Sequence, residues 1–217
     1  MHIPDGFLAP NVWLPTWGMA IGWIAYCLKK TRSILNDKTI PLMGVMSAFI
    51  FAAQMVNFPI AGGTSGHLLG GLLAAVLLGP YAGSLVIAVV LSAQCLIFQD
   101  GGLTALGANI VNMSLIGTGG GYLIYKLLNS ILPGILGKKI GITTASWFSV
   151  MLAAVFCSFE LSFSGTIPLK VVLPAMAGVH AVIGIGEAII TFLVLSYVLK
   201  VRSDLIYAPM VVAVNHE

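Results

Sequence analysis

The most pointed chemistry in this chain of 217 residues belongs to two histidines at the edges of apolar segments, His2 and His67. The α-amine of Met1, the backbone nitrogen of His2 and the His2 Nδ1 can close on one metal ion through a five-membered and then a six-membered chelate ring. Both ring sizes are low in strain and hold three nitrogens near one plane. A fourth nitrogen from His67 would complete a square. Square-planar nitrogen sites suit Ni(II) or Cu(II), and a strong field accommodates Co(II), whereas Zn(II) prefers a tetrahedron and Mg(II) prefers oxygen. The chelate needs a neutral amine and a deprotonated His2 amide, so its affinity should fall as pH drops.

The neighbourhood suits that purpose. Gly62, Gly63, Gly66, Gly70 and Gly71 surround His67 and allow a tight turn followed by close helix packing. Asp5, Ser65 and Asn109 are the residues expected to orient an imidazole from behind the site, although Asn109 and Asn112 suit hydrogen bonding across helices equally well. Glu187, with His180 two turns earlier on the same face, is an ionisable group in an apolar segment and a functional candidate by default; its plainer role is hydrogen-bonded packing. Glu160 can reach interfacial water and says less, and His216 falls in a C-terminal tail. Cys27, Cys95 and Cys157 are odd in number and widely spaced, which favours packing over a disulfide frame or a thiolate site.

These residues must be carried by lipid-embedded helices. The composition is 59% hydrophobic and 8% charged, with a mean hydropathy of +1.03, whereas soluble domains carry about 25% charged residues. The chain therefore reads as an all-α, polytopic integral membrane protein, which excludes a soluble enzyme, a disordered chain and a nucleic-acid binder. Seven spans are predicted, at Asn11–Leu28, Ile40–Phe58, Gly66–Leu78, Tyr81–Phe98, Leu103–Leu128, Thr143–Phe163 and Val171–Leu199. The third is short and opens in glycines, so a half-helix or re-entrant segment is open beside a full crossing. With seven crossings, Lys29, Lys30, Arg32, Lys38, Lys126, Lys138, Lys139, Lys200 and Arg202 share one side and only Lys170 faces the other. The positive-inside rule then sets the C-terminus in the cytoplasm and the N-terminus outside the cell membrane. No basic leader precedes the first apolar stretch, so Met1 is expected to be retained. Residues 1–217 are expected to form a single transmembrane domain.

Four ordered stretches carry a family resemblance: Met1-His2-Ile3-Pro4-Asp5-Gly6-Phe7-Leu8, Gly66-His67-Leu68-Leu69-Gly70-Gly71, the run from Phe98 to Asn109, and the run from His180 to Ala188. Together they resemble the CbiM/NikM family, the substrate-binding S components of energy-coupling factor transporters for cobalt and nickel. The resemblance covers most of the chain. It implies seven helices, an outward N-terminus, and an ion held by the amine of Met1, the backbone and side chain of His2, and His67. It also implies partners: a membrane coupling subunit, a pair of cytoplasmic ATPases and often a small accessory membrane subunit, which some relatives carry fused; here the chain ends soon after span seven, so a fused copy is not expected. No Gly-rich run ending in Gly-Lys-Ser/Thr occurs, so ATP hydrolysis is expected of a partner and the chain is not read as an enzyme. Gly44, Ala48 and Ala52 recur every four residues on span two as a small-residue ridge. By analogy with other S components, that ridge is the expected docking surface.

Two other functions compete. Gly63-Thr64-Ser65-Gly66 reads as the nucleophile setting of a rhomboid-like intramembrane serine protease, with His180 as general base. A stand-alone metal transporter would need ionisable residues spaced across the bilayer, and His180 and Glu187 alone are too few. Nickel and cobalt, the expected transported ligands, both accept nitrogen donors and are not separated by sequence; no catalytic cofactor is expected.

Overall fold

Proline fixes φ near the helical value and offers no N–H, so it opens a helix well, and Pro10 begins α1 (Pro10–Thr31). The computed structural model describes residues 1–33, 35–60, 64–132 and 134–207. Asn36 Oδ1 accepts the N–H groups of Lys38 and Thr39, each at 2.9 Å, ahead of α2 (Thr39–Met55). A short antiparallel hairpin follows, β1 (Phe58–Ile60) against β2 (Thr64–Gly66), with Phe58 opposite Gly66 and Pro59 opposite Ser65. Next come α3 (Gly71–Leu78), the single residue Gly79, and α4 (Pro80–Phe98), again opened by proline. Then α5 (Leu106–Ile110) passes into a π-helical stretch, Val111–Gly120, and on into α6 (Gly121–Ile131). The chain continues with α7 (Gly134–Phe163), α8 (Leu169–Val201) and a 3₁₀ turn, Ser203–Leu205.

Successive elements run in opposite directions between two ends of one bundle. Trp17 near the start of α1 donates to the Thr104 carbonyl at 3.1 Å, and Trp23 reaches Ser114 at 3.2 Å, so α1 descends beside α5. Tyr26 meets Tyr81 edge to face at the far end, where α4 starts its return. Asn112 bonds Glu160 and Gly121 abuts Ser149, so α7 rises beside the descending π stretch and α6. Trp147 donates to the Ala181 carbonyl at 3.0 Å, and α8 descends against α7.

All eight residues of α3 are buried, as is most of α4, and this pair forms the centre around which the other helices pack. The outer face is studded with exposed apolar side chains such as Ile21, Val45, Ile97, Leu123, Val182 and Leu193. Water would penalise such a surface, and a hydrocarbon layer would not. Among the described residues, three helices are long and apolar enough to cross a bilayer, Pro80–Phe98, Gly137–Phe163 and Leu169–Val201.

Three local features depart from the expected spans. The third segment is helical only over Gly71–Leu78, a rise of about 12 Å. Its upper half is the hairpin and the extended run His67–Gly70, yet the segment does reach the far end, where the Val76 carbonyl accepts Tyr207 N–H at 3.2 Å. Helix α7 begins at Gly134, well before Thr143, so Lys138 and Lys139 stand on a helix and not in a loop. The fifth span is interrupted in register by its π stretch, in which the Thr118 hydroxyl donates to the carbonyl of Met113 at 2.8 Å.

Candidate metal centre

An N-terminal segment ordinarily lies in solvent, but this one is folded inward: Met1 and Ile3 are 0% exposed and His2 is 4% exposed. Its main chain is held at every second or third residue. Ile3 N–H donates to Asn109 Oδ1 at 2.9 Å, and the Ile3 carbonyl accepts from Asn109 Nδ2 at 3.2 Å and from Gly102 N–H at 2.9 Å. Asp5 accepts Leu103 N–H, Thr104 N–H and the Thr104 hydroxyl at 3.0, 2.8 and 2.5 Å, and Thr166 donates to the Phe7 carbonyl. Gly102 is required by the close approach: a Cβ there would lie 2.2 Å from the Asp5 nitrogen and 2.6 Å from the Pro4 carbonyl carbon.

His67 is presented by an extended turn that two helices hold from behind. Gly70 takes φ +73°, a value open to glycine at little cost. Glu187 of α8 accepts Leu69 N–H at 2.8 Å and Gly70 N–H at 2.7 Å, while Gln54 of α2 donates to the Leu69 carbonyl at 2.8 Å. These side chains satisfy backbone groups that a helix would otherwise have paired. His67 Nδ1 donates to the Leu68 carbonyl at 2.7 Å. That bond fixes the tautomer and leaves Nε2 as a bare lone pair, buried and without a hydrogen-bond partner.

The two imidazoles meet in a stack, ring centroids 4.4 Å apart and planes 17° apart. The Met1 amine donates to the Ser65 carbonyl and lies 3.3 Å from its hydroxyl, which also accepts His2 N–H at 3.3 Å. His2 Nε2 is 3.1 Å from the amide oxygen of Gln94, so in neutral His2 it carries the proton. Its Nδ1 then turns a lone pair toward Asp100 Oδ1, 3.1 Å away, in a contact not aligned for a hydrogen bond. Two acceptors facing each other at that distance favour a cation beside them. Burial depresses the Met1 amine to about 5, and burial also holds His2 below the ordinary imidazole range, against the opposing pull of Asp100. Both groups are thus uncharged at neutral pH, the state in which nitrogen binds metal. Among the described residues no three His, Cys, Asp or Glu side chains converge on one point.

Met1, His2, Ser65 and His67, which the sequence singles out, therefore come together. Asn109 and Asp5 act on the main chain of Ile3 and of Leu103–Thr104, and neither hydrogen-bonds an imidazole. Gln94 and Gln54 were not among the expected site residues, and Asp100 entered only as part of the stretch from Phe98 to Asn109. The available signal was a glutamine inside each of two apolar runs, a polar group that burial forces to find a partner. Gly44, Ala48 and Ala52 lie on an exposed face of α2, away from the site. Gly62, Gly63 and His216 lie outside the described residues. The protease pairing gains no support, because the Ser65 hydroxyl is engaged with Met1 and His2 while His180 Nδ1 bonds the Met176 carbonyl. Asn112 donates to Glu160 at 2.5 Å, a cross-helix tie.

Residues 2–205 match the family described as CbiM, cobalt uptake substrate-specific transmembrane region. The chain is 42% identical over 208 residues to a protein of Archaeoglobus fulgidus named as a fused nickel transport protein, NikMN, covering 95% of this chain and 68% of that one. It is 38% identical over 209 residues to a protein of Haloquadratum walsbyi named as a metal transport protein, covering 95% and 94%. Among solved structures it is similar to one described as a transition metal transporter, with a TM-score of 0.86, 35% identity, and coverage of 94% of each chain.

Proposed function

The chain belongs to the CbiM family of cobalt uptake substrate-specific transmembrane regions, and from that premise we propose that it is the ion-capturing membrane subunit of an ATP-driven uptake transporter of the energy-coupling factor type. As a member it is a cobalt/nickel transport membrane protein of the CbiM/NikM kind. The ion is taken from outside the cell by four nitrogens in a near-square plane: the Met1 amine, the His2 amide nitrogen, His2 Nδ1 and His67 Nε2. The observation that carries this reading is the inward-folded N-terminus, which brings the amine, the amide and two partnerless buried imidazole nitrogens to one place.

The chemistry of capture follows from the donors. The neutral amine can keep donating to the Ser65 carbonyl while its lone pair turns to the ion. Gln94 orients the His2 ring through Nε2, the Leu68 carbonyl orients His67 through Nδ1, and the Asp100 carboxylate offsets the ion's charge. Nickel and cobalt both fit such a donor set, and the plane disfavours zinc.

Seven crossings with the N-terminus outside and the C-terminus cytoplasmic are supported by the alternating directions of the elements. Lys38 lies 3.5 Å from Asp204, which also pairs with Arg202, so the basic residues before α2 and after α8 share one end, as expected of a cytoplasmic face. ATP hydrolysis falls to a pair of partner ATPases, joined through a membrane coupling subunit and aided by a small accessory membrane subunit. The exposed ridge of Gly44, Ala48 and Ala52 is the docking face, and its exposure on α2 supports an occupant from outside the bundle.

The test is a calorimetric Ni(II) titration of the protein with its amine at Met1 against one carrying two extra residues ahead of it. The extension turns the amine into an amide and should abolish tight binding. Equal affinities would end the chelate reading.

A further inference from the structure

We propose, building on the four-nitrogen reading, that His180 is a second metal station, the first nitrogen to which the captured ion passes on its way inward. Helix α8 runs beside the descending segment 64–70, and three contacts fix their relative levels. The Thr64 hydroxyl lies 3.1 Å from Met176 Sδ. A Cβ on Gly66 would meet Ile183 Cδ1 at 2.7 Å and Val179 Cγ1 at 3.3 Å. Leu69 and Gly70 bond Glu187. His180 is one helical turn past Met176, on the buried stripe that continues to Gly184 and Glu187, and so at the level of Ser65–His67.

Its hydrogen bonding repeats that of His67. His180 is fully buried; Nδ1 donates to the Met176 carbonyl at 2.8 Å, and Nε2 is buried with no hydrogen-bond partner. One nitrogen tied to a carbonyl with the other left as a bare lone pair is the arrangement in which imidazole binds metal. A histidine kept only for packing would leave that lone pair unsatisfied, at a cost apolar residues of similar size avoid. Further down α8, Glu187 and Thr191 line a cavity of about 20 Å³ together with Gln54, whose Oε1 is also buried and unpartnered. The cavity has room for about one water, so oxygen donors follow the imidazole along the same helix.

The transfer is a ligand exchange with no change of oxidation state. His180 Nε2 donates its lone pair to the ion as the chelate nitrogens release it, and the His2 amide regains a proton from water.

Two measurements test the station. In cells that carry the complete transporter, His180→Gln should lower radioactive nickel uptake at least tenfold, while the purified subunit keeps a Ni(II) affinity within twofold of the parent. Unchanged uptake, or an affinity loss as large as the uptake loss, would overturn the proposal. In the second, the protein carries two residues ahead of Met1 together with His2→Ala, and Cu(II) is the probe. Pulsed EPR should count two imidazole ligands, falling to one when His180→Gln is added, in protein whose circular dichroism is unchanged; one imidazole in both proteins would also overturn it. If the extension alone leaves nickel affinity intact, the chelate reading fails separately, and the imidazole count still decides His180.

Discussion

Removing the Asn109 side chain should loosen the metal centre without touching a metal ligand. Asn109→Ala deletes two hydrogen bonds to Ile3, at 2.9 and 3.2 Å, each with a net value of about 1 kcal/mol. The Ile3 carbonyl keeps Gly102 as a donor, but Ile3 N–H is left buried without an acceptor, which adds roughly 1–3 kcal/mol. Docking of the N-terminal segment is thereby weakened by about 3–5 kcal/mol, and binding requires that segment docked. Apparent affinity scales with the docked fraction, so Ni(II) affinity should drop by about tenfold to a hundredfold, depending on how much docking stability the parent holds in reserve. Asn109→Asp keeps the acceptor for Ile3 N–H and sets an oxygen against the Ile3 carbonyl, so its loss should be at least as large. The melting temperature should move little, because the helices bury their surfaces without the segment. Calorimetric titration at constant pH reads the effect. An Asn109→Ala protein that binds nickel as tightly as the parent would refute the idea that this clamp holds the chelate in place.

Gly102→Ala should reduce metal binding as severely, since its Cβ would overlap the main chain of Pro4 and Asp5; near-normal affinity would show that the segment can shift aside. Glu187→Leu removes the acceptor for Leu69 and Gly70 N–H and should weaken both metal affinity and thermal stability, whereas Glu187→Gln, which can accept one of the two bonds, should be milder; the order of the two is the check. Bulky residues at Ala48 and Ala52 should impair co-purification with the partner subunits while leaving nickel titrations unchanged, and intact co-purification would discard the ridge. For pH, an undocked Met1 amine takes its proton near its ordinary value of 8.0 and the docked one only at about 5. The undocked state therefore binds more protons between these values, and docking strengthens as pH rises through that window. Proton release from the His2 amide acts in the same direction, so nickel affinity measured from pH 5 to pH 8 should climb throughout; a flat profile would contradict it.

The proposed donors are readable in the sequence because covalent geometry links three of them: an amine, the next amide and that residue's Nδ1 are spaced for five- and six-membered chelate rings in any chain that begins this way. His67 was legible through its glycines, which announce a close approach. Gln94 and Gln54 were not, since a glutamine in an apolar run shows that it needs a partner but not which one. The third segment was readable as a half-helix from its length and glycines, but the form of its non-helical part was not. Hydropathy reports that residues 66–78 avoid water, and a helix or an extended turn satisfies that equally; Glu187 and Gln54, distant in sequence, decide in favour of the turn. The early start of α7 follows from a run, Gly137–Ile142, in which two lysines lowered the apolar signal although lysine sustains a helix well. Of the nine basic residues assigned to one side, Lys38 and Arg202 do meet, both at Asp204.

The inward-folded N-terminus also dictates an order of events. Met1 meets a partner 64 residues away, Ile3 one 106 residues away and Phe7 one 159 residues away. Contacts so distant along the chain form late, because the loops between them must first be closed. During synthesis the first residues made are thus the last to settle, waiting until Thr166 and the helices before it are in place. The proposed four-nitrogen site is thus complete only when the bundle is, because His67 and the burial of the Met1 amine are supplied by the fold and not by the first two residues alone.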